Sequence, residues 1–285
     1  MEFISTIVEV RDLLERNRAE GRSVGFVPTM GHLHRGHASL MTTAVAENDV
    51  TVASIFVNPL QFAEGEDLDS YPRDLDGDLE ICRAEGIDIV FVPSVEEMYP
   101  RPVEVVVTVP VIAAPLEGVA RPTHFAGVAT VVAKLFSIMG SCRAYFGAKD
   151  WQQLAVVRRM ATDLSMPVEV VACPIVRESD GLALSSRNIY LTSQERAQAP
   201  VIRRALDIGV DLVAAGETDA AVIEAAMATE VATASRGRLD YAAAVPADTL
   251  VADGPLSGEV RLLLAVRFGR ARLIDNDGAS TTERV

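Results

Sequence analysis

The sequence of 285 residues predicts an α/β fold, in which a Rossmann-like parallel sheet with helices on both faces is followed by a smaller α+β domain. Short β-branched runs alternate with helical patterns as far as about residue 175. The runs are apolar throughout, as expected of strands that helices cover on both faces. After residue 176, helical patterns come first and strands follow. We therefore expect residues 1–175 to form the first domain and residues 176–285 the second.

The strands of the first domain are predicted from runs rich in β-branched residues. They cover residues 24–27, 50–57, 87–92, 103–109, 142–146 and 168–176. Apolar residues at helical spacing predict helices over residues 38–47, 75–84, 125–139 and 151–164. Residues 102–116 are bounded by prolines, and we expect them to form an extended ribbon outside the main sheet.

In the second domain, a helix is expected to begin at Thr192 or Ser193, because hydroxyl side chains cap helices and acids or amides follow here. This helix is predicted to reach about Ala215, and a second helix covers residues 218–235. Strands are predicted at 239–245, 260–268 and 270–275, with a turn at Gly269 between the last two. The polar residues from Gly278 onward are expected to fray.

The composition excludes several classes of protein. The chain carries 26 Lys and Arg against 40 Asp and Glu, a formal net charge of −14, and 49% of its residues are hydrophobic. The apolar fraction excludes a disordered chain, and the acidity argues against nucleic acid or a membrane surface as a partner. Apolar stretches are too short for a membrane span and the N-terminus lacks a secretory pattern, so we expect a cytoplasmic protein.

The cysteines Cys82, Cys142 and Cys173 are widely spaced and form no Cys-x-x-Cys motif. They predict neither a disulfide framework nor a zinc site, and we expect buried free thiols. A chain of this length can bury a full core without such cross-links.

The residues after the first predicted strand have the composition of a phosphate-binding loop. Gly31 and Gly36 allow the main chain to approach a ligand closely, and His34 and His37 are three residues apart at the start of a helix. Main-chain and imidazole N–H groups at such a position can donate to phosphate oxygens. Metal binding by the pair and a purely structural role remain open alternatives, and His32 is out of phase with the other two.

Two carboxamides, Asn58 and Gln61, follow the second predicted strand. They suit a polar uncharged ligand or a carboxylate, and the alternative is an Asn-Pro turn with incidental polar residues. His124 lies at the start of the predicted helix 125–139, where it either contacts a ligand or caps the helix.

Lys149 stands at a predicted helix start, where the helix dipole favours an anion. A cation is unfavourable at this position unless an anion binds there. The neighbouring Asp150 suits an N-cap or a partner for a ribose hydroxyl, and Gln153 lies on the same face of the predicted helix. The Ser-Ser-Arg run at residues 185–187 offers further donors to phosphate oxygens. The alternatives are a solvated lysine and a hydroxyl-stabilised turn with a surface arginine.

Residues 64–80 contain eight acids and one base, a pattern typical of solvated surface. A carboxylate such as Asp78 is a candidate ligand for magnesium on a triphosphate. The spacing of the acids does not single out one of them.

Six motifs occur in a fixed order along the chain: Pro28-Thr29-Met30-Gly31 with His34-Arg35-Gly36-His37, Phe56-Val57-Asn58-Pro59-Leu60-Gln61-Phe62, Tyr71-Pro72-Arg73, Arg121-Pro122 with His124-Phe125-Ala126-Gly127-Val128, Gly147-Ala148-Lys149-Asp150-Trp151-Gln152-Gln153, and Leu184-Ser185-Ser186-Arg187-Asn188. Together they resemble the motifs of pantothenate synthetases, the pantoate:β-alanine ligase family. The resemblance extends over about residues 1–275 and is far more specific than the His-x-Gly-His element, which other nucleotidyltransferases share.

The resemblance implies a two-step reaction. Pantoate and Mg-ATP give pantoyl adenylate and pyrophosphate, and β-alanine then displaces AMP to form pantothenate. It implies catalytic roles for His34, His37, Lys149 and Arg187, and a homodimer with residues 102–116 in its interface. By the same match, the ATP site comprises Met30, Gly31, His32, Leu33, His34, Arg35, Gly36, His37, Gly147, Ala148, Lys149, Asp150, Val176, Leu184, Ser185, Ser186 and Arg187.

The pantoate site of the family matches Gln61, Gln153, Asn58 and His124. Gln61 is also expected near β-alanine, and the second domain is expected to act as a lid, because an acyl adenylate must be protected from water. This sequence departs from the family pattern in two places. His32 and Arg35 occupy variable positions of the first motif. Gly77 interrupts the acid cluster, in which some members of the family have consecutive aspartates, and this departure weakens the match that makes Asp78 a magnesium ligand.

Two other functions compete with this one. A nucleotidyltransferase of the same superfamily needs a second phosphate-binding cluster where this chain has the carboxamides Gln61 and Gln153. A catalytically silent nucleotide-binding regulator is expected to have lost His37, Lys149 or Arg187, and all three are present. The residues therefore favour the ligase.

Overall fold

The computed structural model describes residues 1–62, 68 and 71–281 of the chain. These residues form two compact units. The first unit contains Met1–Ala148 and Gln153–Pro174, and the second contains Lys149–Gln152 and Ile175–Val285. The chain leaves the first unit at Pro174, and the short segment Lys149–Gln152 groups with the second unit.

Within the described residues, the first unit contains a six-stranded sheet whose paired strands are all parallel. The strands are β1 (Glu2–Ile4), β2 (Val24–Thr29), β3 (Val50–Ile55), β4 (Ile89–Phe91), β5 (Cys142–Gly147) and β6 (Val168–Cys173). Their order in the sheet is β1-β4-β3-β2-β5-β6. The predicted parallel sheet is confirmed.

Helices connect these strands. They are α1 (Ile7–Ala19), α2 (Arg35–Glu47), α3 (Leu75–Ala84), α4 (Val95–Met98), α5 (Pro110–Ala113), α6 (Glu117–Ala120), α7 (His124–Met139) and α8 (Trp151–Asp163). The sequence does not predict β1, because a three-residue strand is too short to show a periodicity.

The centre of the sheet determines where a ligand can bind. β2 pairs with β3 along its whole length, from Val24 opposite Val50 to Thr29 opposite Ile55, and it pairs with β5 on its other side. The order of the strands reverses between β2 and β5, and open α/β sheets bind ligands at the carboxyl ends of the strands beside such a reversal. The segment that carries His32, His34 and His37 follows β2 directly, as the sequence predicts.

Residues 102–116 lie outside the six-stranded sheet, as expected, but the predicted extended ribbon with its strand at 103–109 is wrong. Residues 102–109 pair with no strand among the described residues, and α5 and α6 follow as short helices. Pro110 occupies the first position of α5, where its fixed φ favours a helix. The main chain of this region is held in part by a side chain, because the Val107 N–H donates to Thr130 Oγ1 at 3.0 Å.

The second unit has the α+β composition that the sequence predicts. Its helices are α9 (Ser193–Gln198), α10 (Val201–Ala214) and α11 (Ala220–Val231), and its strands are β7 (Gly237–Pro246), β8 (Glu259–Phe268) and β9 (Ala271–Ser280). The strands form an antiparallel sheet in the order β7-β8-β9. Its core contains the fully buried Leu206, Met227, Leu262 and Phe268.

Two expectations for the second unit are wrong. The single helix expected as far as Ala215 is two helices, because Pro200 lies between α9 and α10 and lacks the N–H that a continuous helix requires. Of the two candidate caps, Thr192 caps α9. Residues from Gly278 were expected to fray, yet β9 continues to Ser280, which pairs with Glu259. Residues 282–285 lie outside the described residues.

The cysteines Cys82, Cys142 and Cys173 are buried free thiols, as predicted. Burial raises the pKa of Cys82 to about 11 and that of Cys142 to about 12, so both remain protonated at neutral pH. Within the described residues, none of the helices combines the length and the apolar character that crossing a membrane requires.

Gly127 in α7 allows this helix to pack directly against the main chain after β3. A Cβ atom at position 127 would lie 2.2 Å from the carbonyl oxygen of Leu60. That oxygen belongs to the main chain, so the contact cannot be relieved by a side-chain rotation.

We expect Gly127→Ala to lower the free energy of unfolding by about 1–3 kcal/mol, the usual cost of overpacking. Urea unfolding followed by circular dichroism measures the change. Gly254→Ala is the matched control, because a Cβ there has no neighbour within 4 Å. Equal stability of the two variants would contradict the close approach of α7.

Candidate active site

The turn after β2 is held by a buried carboxylate of α3. Gly31 and His32 have left-handed φ angles of 83° and 53°. Asp78, which is 3% exposed, accepts hydrogen bonds from the N–H of His32 at 2.9 Å and from the N–H of Leu33 at 2.6 Å, one on each oxygen. These charge-assisted bonds offset the cost of a left-handed histidine. A Cβ at position 31 would lie 2.8 Å from Asp78 Oδ2, which explains the glycine.

His34 and His37 cap α2 with their ring nitrogens. His34 Nδ1 accepts from the N–H of Gly36 at 3.1 Å, and His37 Nδ1 accepts from the N–H of His34 at 3.3 Å. The ring centroids are 4.2 Å apart, as the spacing of the two residues predicts. Because Nδ1 is an acceptor in both rings, each neutral imidazole carries its hydrogen on Nε2. The pair is therefore built to supply two N–H donors at a helix N-terminus.

Asn58 orients the side chain of Gln61 in the loop after β3. Its Nδ2 donates to Gln61 Oε1 and to the carbonyl oxygen of Gly127, both at 3.2 Å. Its Oδ1 accepts from the N–H of Leu60 at 3.3 Å and from the Tyr99 hydroxyl at 2.9 Å. Burial raises the pKa of Tyr99 to about 12, so the hydroxyl remains a donor. These bonds account for both hydrogens of the amide and give Asn58, which is 1% exposed, a bracing role.

Gln61 links the two loops of the first unit. Its Nε2 lies 2.6 Å from the sulfur of Met30, in the loop after β2. Its main-chain carbonyl oxygen lies 3.0 Å from His124 Nδ1 and 3.3 Å from the guanidinium of Arg121. The main chain and the side chain of Gln61 are both held, so its amide has a defined direction. His124 thus contacts this loop, while Thr123 occupies the cap position of α7.

Lys149 lies in a one-turn 3₁₀ helix, Ala148–Asp150, just before α8. Its side chain is only 17% exposed, and its ammonium nitrogen is 3.6 Å from Asp150 Oδ1. One carboxylate at this distance stabilises the ammonium without enclosing it. A partly buried cation is therefore held in the segment where the sequence predicts an anion site.

The Ser-Ser-Arg run forms a second one-turn helix, Ser186–Tyr190, capped by Ser185. Ser185 Oγ accepts from the N–H of Arg187 at 3.2 Å. The side chain of Arg187 is exposed and forms no ion pair within the described ranges. The loop before this run is closed by a hydrogen bond of 2.9 Å from the Leu184 N–H to the carbonyl oxygen of Val176. The hydroxyl-stabilised turn that the sequence left open as an alternative is present, and its arginine is exposed.

The predicted site residues divide between the units. The first unit holds Met30, Gly31, His32, Leu33, His34, Arg35, Gly36, His37, Asn58, Gln61, Asp78, His124, Gly147, Ala148 and Gln153. The second unit holds Lys149, Asp150, Val176, Leu184, Ser185, Ser186 and Arg187. Their contacts with ligands stay predictions.

Magnesium binding by Asp78 is not what the geometry of this side chain favours. Each carboxylate oxygen already accepts a main-chain N–H, and the side chain is buried. In the described ranges, no cluster of three or more His, Cys, Asp or Glu side chains is arranged to hold a metal ion. Part of the acidic run 64–80 lies outside the described residues. The metal role of Asp78 stays a prediction, and its observed role is to hold the turn.

Sequence reasoning missed two supporting residues, Tyr99 and Asp78 in its turn-holding role. Gly31 indicates a left-handed turn, but no sequence pattern shows which distant side chain accepts hydrogen bonds from the N–H groups of that turn. Tyr99 stands outside the predicted elements and has no distinguishing spacing.

We expect Asp78→Asn to lower the free energy of unfolding by about 1–3 kcal/mol, because an amide places N–H groups against main-chain N–H groups. Amide hydrogen exchange at His32 and Leu33 should become faster. Asp76→Asn is the matched control, an exposed acid on the same helix. Unchanged exchange at both amides would show that Asp78 does not hold the turn.

Comparison with known proteins agrees with this geometry. Residues 2–277 match the family described as Pantoate-beta-alanine ligase. The pantothenate synthetase of Allorhizobium ampelinum is 53% identical over 276 residues, which cover 97% of this chain and 96% of that protein. The crystal structure of pantothenate synthetase from Thermus thermophilus has a TM-score of 0.90 and 48% identity, covering 97% of this chain and 99% of that one.

A pantoate-beta-alanine ligase from Francisella tularensis, crystallised with beta-gamma ATP and β-alanine, has a TM-score of 0.78 and 33% identity and covers 97% of both chains. The match to the family extends over nearly the whole sequence. The six-stranded sheet, the segment after β2 that carries His34 and His37, and the loop after β3 that carries Asn58 and Gln61 all lie within it. This chain belongs to the pantoate–β-alanine ligase family.

Proposed function

We propose that the chain joins pantoate to β-alanine with ATP as the energy source, in two steps. A carboxylate oxygen of pantoate attacks the α-phosphorus of ATP, and the bond to pyrophosphate breaks. The β-alanine amine then attacks the acyl carbon of pantoyl adenylate, loses a proton, and AMP leaves with the electron pair of the acyl–oxygen bond. Membership of the family and the ligands named for the Francisella tularensis relative support this reaction.

The observation that carries the proposal is the pair of imidazoles at the N-terminus of α2. Attack at the α-phosphorus builds negative charge on the phosphoryl oxygens and on the departing pyrophosphate. His34 and His37 have Nδ1 engaged with the main chain, so they meet this charge with Nε2–H groups that are oriented before the reaction. Neutral donors suffice for this role, and neither ring has to transfer a proton.

Cations complete the binding of the nucleotide in this proposal. The ammonium of Lys149 and the guanidinium of Arg187 suit phosphate oxygens, and the hydroxyls of Ser185 and Ser186 add neutral donors. The partial burial of Lys149 supports these roles, as does the exposed Arg187, which forms no ion pair with any residue that the structure describes. Asp150 suits a ribose hydroxyl.

Gln61 is the residue we assign to pantoate. Gln61 is 8% exposed and its amide is braced by Asn58, so the amide can recognise a hydroxyl or a carboxylate without first being ordered. Gln153 and His124 are the further candidates. Gln61 is also assigned to β-alanine, because the amine must reach the carboxyl carbon of the bound pantoyl group.

Magnesium, a homodimer and a cytoplasmic location complete the proposal. Magnesium bound to a triphosphate neutralises charge and needs only one or two protein carboxylates. Exposed valines support a protein interface in the region 102–116, where the dimer contact was expected: Val105, Val106 and Val111 are 57–77% exposed. The lid role of the second domain stays a prediction.

The role of His37 is tested by two substitutions. Asn retains an acceptor near the position of Nδ1 and loses the outer donor, so we expect His37→Asn to slow single-turnover pyrophosphate release by roughly 100-fold. Gln places an amide N–H near the position of Nε2, and His37→Gln should therefore retain more of the rate. Thr42→Ala, on the exposed face of α2, is the control. A normal rate in His37→Asn would remove this residue from the chemistry.

For Gln61 we expect a separation of the two substrates. Gln61→Ala should raise KM for pantoate about tenfold or more, as expected when a buried hydrogen-bond partner is lost, and leave KM for ATP within about twofold. Steady-state pyrophosphate release with each substrate varied measures both constants. Gln198→Ala in α9 is the control. Equal increases for the two substrates would contradict a pantoate site at Gln61.

A further inference from the structure

The segment Lys149–Gln152, called here the lysine segment, follows β5 in sequence but groups with the second unit. Its main chain is tied to β9 by one side chain. Asn276, which is 1% exposed, donates from Nδ2 to the carbonyl oxygen of Lys149 at 2.7 Å. A lysine proposed to bind phosphate therefore has its own carbonyl fixed by a residue 127 positions away.

The orientation of the Asn276 amide is determined by Arg261 of β8. Arg261 donates from Nε to Asn276 Oδ1 at 2.7 Å, and its Nη2 contacts the same oxygen. A guanidinium has only donors, so the amide oxygen must face Arg261 and the NH₂ group must face Lys149. Burial lowers the pKa of Arg261 to about 10, which still leaves it charged at neutral pH.

Arg261 also contacts the lysine segment directly. Its guanidinium carbon lies 3.8 Å from the centre of the Trp151 ring, a close cation–π stack. The indole N–H of Trp151 donates to the carbonyl oxygen of Ala247 at 2.9 Å. The segment is thus held on both sides of Asp150, at the carbonyl of Lys149 and at the ring of Trp151.

We propose that Asn276 and Arg261 are positioning residues for Lys149, which fix the main chain of the lysine segment so that the ammonium meets the ATP phosphates without further ordering. The inference rests on the proposed role of Lys149 in ATP binding. Neither residue needs to touch a substrate. A displacement of about 1 Å in a charge-binding group can cost a reaction up to about 100-fold, so the anchor has a kinetic consequence.

The test uses one substitution in each anchoring residue. Asn276→Asp retains the acceptor for Arg261 and loses the donor to Lys149. Arg261→Lys retains the charge and loses both the fork to Asn276 and the planar stack on Trp151. Arg267→Lys is the matched control, the same change on the same strand, because Arg267 contacts Asp240 and not the lysine segment.

We expect Asn276→Asp and Arg261→Lys to raise KM for ATP about tenfold and to leave KM for pantoate within about twofold, with Arg267→Lys unchanged. Trp151 is the single tryptophan of the chain, so intrinsic fluorescence reports on this segment alone. The emission maximum should shift in both variants and not in the control. Losses that are equal for ATP and pantoate, or unshifted emission, would overturn the inference.

A double-mutant cycle separates positioning from general stability. Lys149→Ala alone should raise KM for ATP or lower kcat about 100-fold, and Asn276→Asp should add nothing in that background, because it acts through the lysine. Losses that multiply would show that Asn276 acts independently of Lys149, which overturns the inference and leaves the proposed function intact. A Lys149→Ala variant with unaltered ATP kinetics would instead overturn the proposed role of Lys149, and the inference with it.

Discussion

The constraint on which this site depends is that main-chain polar groups in buried loops need partners that neither helix nor sheet supplies. Three buried side chains supply them. Asp78 accepts the N–H groups of a left-handed turn, Asn58 accepts the N–H of Leu60 in the loop of Gln61, and Asn276 donates to the carbonyl oxygen of Lys149. Three of the loops that carry proposed ligand-binding groups are thereby ordered by residues that do not themselves have to contact the ligand. Preorganisation of this kind lets binding energy stabilise the transition state instead of ordering the loops.

The same constraint decides the chemical character of the histidines. Nδ1 of His34 and of His37 accepts a main-chain N–H, which leaves the hydrogen of a neutral ring on Nε2. A chain with a net charge of −14 gathers anions poorly from a distance, so substrate anions must be bound by local donors. Neutral N–H groups and a few cations at loop ends suit a site that stabilises the charge developing at phosphorus during the reaction more than it binds free phosphate.

Much of this could be predicted from the sequence, for definite reasons. Apolar β-branched runs identified the buried parallel strands, and polar side chains at their carboxyl ends identified the loops. Pro200 divides a helix whose apolar pattern continues across it, so periodicity alone joined α9 to α10. The prediction of a ribbon at residues 102–116 was wrong because a composition typical of extended chain does not show whether a partner strand exists. Contacts between distant residues, such as Asn276 with Lys149 or Asp78 with Leu33, leave no periodic signal, and for that reason the supporting residues became visible only in the structure.

The central claim is that the chain activates pantoate with ATP before the amine reacts. Pyrophosphate release from purified protein with Mg-ATP and pantoate, with and without β-alanine, combined with mass detection of pantothenate, tests it most directly. The account predicts pyrophosphate from ATP and pantoate alone, in an amount close to that of the enzyme, and continued turnover with pantothenate only when β-alanine is added. Pyrophosphate release that requires β-alanine from the start, or that proceeds without pantoate, would contradict the account.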